Sequence, residues 1–115
     1  MDVTIYHNPR CSKSRQTLEL LKNKGVEPRV IEYLKTPPDE QELAEILQLL
    51  GLGPRDLVRT GGPEYKANNL DDTSLSDDQL IGAIVKFPVL MQRPIVIANG
   101  KAAVGRPPEN VLAIL

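Results

Sequence analysis

The first thirty-four residues hold two strand patterns joined by a helical one, and that order leaves the chain few folds. Val3-Thr4-Ile5-Tyr6 reads as a short strand. A tight turn, His7-Asn8-Pro9-Arg10, follows, and Cys11 then opens a helix that runs to about Lys24 and stops at Gly25. Pro28–Leu34 reads as the second strand, and a helical crossover returns it parallel to the first. Near the other end, Pro94–Ala98 and Ala102–Val104 flank Asn99-Gly100, the strongest short-range signal for an antiparallel hairpin. One half of the sheet is therefore parallel and the other antiparallel.

The middle of the chain is helical. Thr36-Pro37-Pro38-Asp39 predicts a helix start with proline at the first helical position, and Leu43, Ile46, Leu47 and Leu50 follow at helical spacing up to Gly51. A short helical turn is expected over Pro54 to Arg59. The stretch Thr60–Ser74, rich in Gly, Asn and Asp, reads as a loop. Ser76-Asp77-Asp78-Gln79 is a capping box ahead of Leu80, Ile81, Ile84 and Val85. Arg106-Pro107-Pro108 leads into a closing helix carrying Val111, Leu112 and Leu115. The expected fold class is α/β: a thioredoxin-like fold with a four-stranded mixed sheet. A helical insertion over 36–87 separates the β-α-β half from the β-β-α half, so one domain of 1–115 has its core in 1–35 and 88–115. Thioredoxin-like folds place a cis-proline at the start of the third strand, here Pro94, an expectation that rests on the fold resemblance.

Composition removes several function classes. A net charge of −1 in 115 residues carries no basic excess for bulk attraction to nucleic acid. Aromatic residues are 3% and tryptophan is absent, which leaves little for stacking on bases. No apolar run approaches the ~20 residues of a membrane span, and no charged-then-apolar leader precedes the first strand. One cysteine forms no internal disulfide, so a reducing cytoplasm is the expected location. One His and one Cys are too few for a zinc site, and no phosphate-cradling glycine motif is present.

The single cysteine sits where a thiol is most easily ionised. A helix N-terminus presents unpaired N–H groups and the positive end of the dipole. Arg10, Lys13 and Arg15 lie within one turn, and each favours thiolate; His7 on the strand side either orients or protonates groups near the thiol or is a turn residue. A free thiol of pKa ~8.5 is only about 3% ionised at neutral pH, whereas a value of ~6.5 makes it about three-quarters thiolate. Cys11-Ser12-Lys13-Ser14 lacks the second cysteine of a C-x-x-C pair, so an adduct on Cys11 needs a thiol from another molecule. Ser14 either bonds to Cys11 or caps the helix. A phosphatase-type C-x5-R loop is excluded because Thr17 stands where arginine would be. Arg59, Arg93 and Arg106 are either solvated surface groups or, with their planar forks, holders of a tetrahedral oxyanion.

The string Ile5-Tyr6-His7-Asn8-Pro9-Arg10-Cys11-Ser12-Lys13-Ser14-Arg15 resembles the active-site segment of the glutaredoxin-coupled arsenate reductases. Leu57-Val58-Arg59, Asp77–Ile81, Pro88–Val96 and Gly105–Glu109 are similar to later blocks of that family, so the resemblance spans essentially the whole chain. It implies reduction of arsenate to arsenite with Cys11 as nucleophile, His7 assisting its activation and Ser14 supporting the thiolate. Arg59, Arg93 and Arg106 match the arginines that hold the oxyanion. Glutathione as co-substrate and glutaredoxin as partner are implied, with no bound cofactor and no metal. Ser12 and Lys13 depart from the small residues expected after the cysteine. The alternatives are a non-catalytic thioredoxin-like adaptor and a monothiol oxidoreductase acting on glutathionylated proteins.

Overall fold

Val3 and Ile5 alternate along the first strand, Val3–His7 (β1), and are buried with Leu21, Val96, Ala98, Val111 and Ile114 on one face of a sheet. The computed structural model describes residues 2–115. They divide into two compact units: residues up to Thr36 with Arg93–Leu115, and Pro37–Gln92.

In the first unit β1 is followed by α1 (Ser12–Asn23), β2 (Arg29–Glu32), β3 (Ile95–Ala98) and β4 (Lys101–Val104). The sheet order is β2-β1-β3-β4, with β1 parallel to β2 and antiparallel to β3, and β3 antiparallel to β4. This is the mixed sheet of a thioredoxin-like fold. α1 buries Ser14, Thr17 and Leu21, one helical stripe at intervals of three and four. Gly25 takes a φ of 76° after it, which an L side chain adopts only with strain. Asn99 and Gly100 have φ of 55° and 71°, the pair of positive values that lets a two-residue turn follow the strand twist. The peptide bonds before Pro94 and Pro107 are both cis; the first was expected, the second was not.

The closing helix differs from expectation. Pro108–Ile114 winds as a 3-10 helix and buries Pro108, Val111 and Ile114, while Leu112 remains 37% exposed. Three residues per turn bring positions three apart onto one face, so Ile114, and not Leu112, faces the core.

The second unit contains α2 (Glu40–Leu50), α3 (Pro54–Leu57), α4 (Pro63–Ala67) and α5 (Asp77–Lys86), then a 3-10 turn at Pro88–Leu90. α2 and α3 both pack on α5, with Leu43, Ile46, Leu47, Leu57, Leu80 and Ile84 buried. Asp39 caps α2, accepting from Glu42 N–H at 2.8 Å, so both prolines stand outside the helix where proline at its first position was expected. A side-chain carboxylate satisfies a free N–H there, which proline cannot do. Ser76 and Gln79 form the anticipated capping box on α5. The segment Thr60–Ser74 is not all loop. It contains α4, and Arg55 donates to the Leu70 and Asp72 carbonyls, fastening its far end.

Candidate functional site

β1 ends at His7, and the turn after it is built by Asn8. The Asn8 carbonyl accepts from Cys11 N–H at 3.0 Å, its Oδ1 accepts from Arg10 N–H at 3.0 Å, and its own N–H donates to Ser14 Oγ at 3.0 Å. These three bonds place Cys11 at the cap of α1 with extended backbone (φ −94°, ψ 124°), so its side chain meets the free N–H groups of the first turn. Cys11 is part-exposed and is a free thiol.

Burial opposes the thiolate and is the largest single influence on Cys11. The backbone N–H of Ser14, the Arg93 charge, the Lys13 N–H and a hydrogen bond from the Arg93 side chain together outweigh it, so the thiol pKa lies below its ordinary value. The cation that acts on the sulfur is thus Arg93, at the entrance to β3, where Arg10, Lys13 and Arg15 were each expected to do so. Arg15 turns its guanidinium to the Pro9 carbonyl at 2.9 Å, and Arg10 and Arg15 are exposed to water, which screens them.

Ser14 is fully buried, and its hydroxyl is spent on His7 and Asn8. Ser14 Oγ and His7 Nδ1 lie 2.5 Å apart, sharing one hydrogen bond whose direction follows the imidazole tautomer. Burial lowers the His7 pKa against the pull of Glu32, with Arg15 and Lys22 adding to the decrease. His7 is therefore neutral at pH 7 and does not lend Cys11 a charge. It buttresses the turn through Ser14, whose N–H faces the sulfur.

Arg93 is half-buried. Its Nε and Nη1 are buried with no oxygen acceptor in hydrogen-bond reach among the described residues. Leaving such donors unmatched costs about 1–3 kcal/mol each, so an arrangement of this kind suits an anion's oxygens. Arg106, exposed after β4, donates to the Arg93 carbonyl at 3.4 Å. Arg59 belongs to the second unit. It follows the Val58–Met91 bridge, donates its N–H to the Leu90 carbonyl at 2.7 Å and its Nη1 to Val89 O at 3.4 Å. The structure thus gathers His7, Cys11, Ser14, Arg93 and Arg106 at one end of the first unit's sheet. A hollow of about 460 Å³ lined by Lys22, Gly25, Val26, Glu27, Pro28 and Val30 lies at the other end of α1, away from Cys11.

A single thiolate beside a guanidinium with unmatched donors is a constellation that families can be compared on. The family model for ArsC matches residues 6–114. The chain belongs to the ArsC family. The uncharacterized protein YfgD of Escherichia coli K12 is 58% identical over 114 residues, covering 98% of this chain and 96% of its own length. An arsenate reductase of Neisseria meningitidis serogroup A is 50% identical over 115 residues, covering 99% and 98%. The solved structure of an arsenate reductase from Vibrio cholerae superposes with a TM-score of 0.98 at 53% identity, covering 100% of this chain and 98% of that one.

Within this ArsC chain the arrangement can do three things. It can favour the ionised form of the thiol, offer donors to a tetrahedral anion next to that thiol, and leave the sulfur partly open to solvent. The turn His7-Asn8-Pro9-Arg10 was legible in the sequence, but Asn8 was not singled out in it, although its backbone N–H, its carbonyl and its Oδ1 all serve the turn. Among the described residues no three His, Cys, Asp or Glu side chains converge as metal ligands, and no helix is long and apolar enough to cross a membrane.

Proposed function

We propose that this chain reduces arsenate to arsenite at Cys11. The observation that carries the reading is the Arg93 guanidinium, with two buried donors lacking an acceptor, set against a thiol whose ionisation it favours. Arg93 and Arg106 hold the oxyanion, and Arg59 takes the part that the family resemblance gives it. The Cys11 thiolate attacks arsenic, an S–As bond forms, and water leaves with a proton drawn from solvent. Glutathione displaces a second oxygen as water, giving an arsenic(V) centre bound by two sulfurs. A glutaredoxin thiol then attacks the glutathione sulfur. The S–As bonding pair stays on arsenic, which passes from +5 to +3, while the two thiols become one mixed disulfide. Hydrolysis of the remaining S–As bond releases arsenite and returns the Cys11 thiol. No second cysteine in the chain is required, in keeping with its single cysteine.

The test is arsenate-dependent NADPH oxidation with glutathione, glutathione reductase and glutaredoxin. Wild type turns over; Cys11→Ser does not; Arg93→Ala loses about 100-fold in kcat/KM, the usual loss for a donor aimed at a developing oxyanion. Absence of turnover by wild type, or full activity in Cys11→Ser, overturns the reading. Retained activity on a glutathionylated peptide in Arg93→Ala, with wild type inert to arsenate, would instead identify a monothiol oxidoreductase.

A further inference from the structure

We infer that Gly105 and Thr17 are positioning residues for the reacting thiol: their contact sets how closely the first turns of α1 approach the corner that carries Arg93. Gly105 does not have a positive φ, so its backbone conformation is open to any residue. It is space that requires glycine. A Cβ at position 105 would stand 2.6 Å from Thr17 Oγ1, 2.8 Å from Pro94 Cγ and 3.1 Å from Thr17 Cγ2.

None of these neighbours can retreat freely. Thr17 is fully buried, and its hydroxyl donates to the Lys13 carbonyl at 2.8 Å, which fixes its rotamer. Pro94 is a rigid ring, and its carbonyl accepts from Gly105 N–H at 2.8 Å. The contact therefore ties three pieces together: α1 six residues past Cys11, the residue next to Arg93, and the start of the segment whose Arg106 donates to the Arg93 carbonyl. A methyl group at 105 would push Thr17 or Pro94 away by on the order of 0.8 Å to reach ordinary contact distance. Either movement separates the Cys11 sulfur from the Arg93 guanidinium, while the His7–Ser14–Asn8 bonds on the β1 side stay as they are. The charged or titratable groups around Cys11 are His7 from β1, Arg10 from the turn, Lys13 and Arg15 from α1, and Arg93 and Arg106 flanking the β3–β4 hairpin. Arg93 and Arg106 are the ones reached through Gly105.

The inference rests on Cys11 being the reacting thiol, but its readout is the thiol itself and needs no arsenate. Cys11 ionisation is followed by the ultraviolet absorbance of the thiolate and by the pH dependence of iodoacetamide alkylation, in wild type, Gly105→Ala, Thr17→Ala and the double variant. Gly105→Ala should raise the midpoint by about one pH unit and slow alkylation at pH 7 several-fold. In the Thr17→Ala background the same glycine substitution should produce less than half that shift, the mark of direct coupling. A folded Gly105→Ala with the wild-type titration overturns the inference, as does an equal shift in both backgrounds. If neither Gly105→Ala protein folds, Thr17→Ile presses on the same contact from the helix side. An upward shift there supports the inference, and a wild-type titration refutes it.

Discussion

The Cys11 pKa is lowered by unequal contributions that single substitutions can separate. Ser14→Ala removes the acceptor of Asn8 N–H and the partner of His7 Nδ1, both buried, and should lower unfolding stability by about 1–3 kcal/mol in urea titrations. It leaves the backbone N–H at 14 in place, so the thiol midpoint should move less than in Arg93→Ala, which removes both a charge and a hydrogen bond. Stability carries the same information. Because the folded state lowers the Cys11 pKa, the thiolate's contribution is fully present above the ordinary thiol pKa and fades as pH falls through the folded value. His7 acts in the same direction for a different reason. Burial lowers its pKa, so below about 6.5 the unfolded chain binds a proton that the folded chain resists, and stability declines as pH falls. Urea midpoints measured between about pH 7 and 5 should decrease in wild type, and His7→Gln should flatten that decrease.

Caps and turns decide where each element begins, and they were the most legible features of the chain. Ser76→Ala should cost about 1 kcal/mol, since it strips α5 of the acceptor for Gln79 N–H, and should leave Cys11 alkylation unchanged. Thermal unfolding beside an alkylation assay checks both halves of that statement. The Asn99-Gly100 turn and the Ser76 box could be read locally because the bonds that make them span only a few residues, and the strand–helix–strand opening because each element carries its own periodicity. What escaped reading depends on partners distant in sequence. Arg93 reaches Cys11 across eighty-two positions, which no local pattern shows and only the fold and family resemblance led one to expect; Gly105 reads as an ordinary glycine until Thr17 and Pro94 are beside it. α4 was hidden by composition, although Gly62-Pro63 marks a helix start by itself. The three-residue period of Pro108, Val111 and Ile114 was mistaken for an α-helical one because Leu112 and Leu115 offered a competing apolar set.

For the molecule as a whole, a buried face shared by β1, α1, the hairpin and the closing 3-10 helix supports the thiol-bearing turn. Leu21 is fully buried in that core, and Leu21→Ala should lower stability by about 2–5 kcal/mol. The folded fraction of that variant should keep the wild-type Cys11 titration, because Leu21 lies more than two helical turns from the cap. The fold was accessible from sequence order, and the cap position of Cys11 from its place after the first strand; which charge acts on its thiol needed the three-dimensional chain. The central claim is that an oxyanion binds against Cys11 through Arg93. Its most direct test is the rate of Cys11 alkylation at fixed pH with rising arsenate. Saturable protection in wild type, lost in Arg93→Ala, is the predicted result; alkylation indifferent to arsenate in wild type would contradict it.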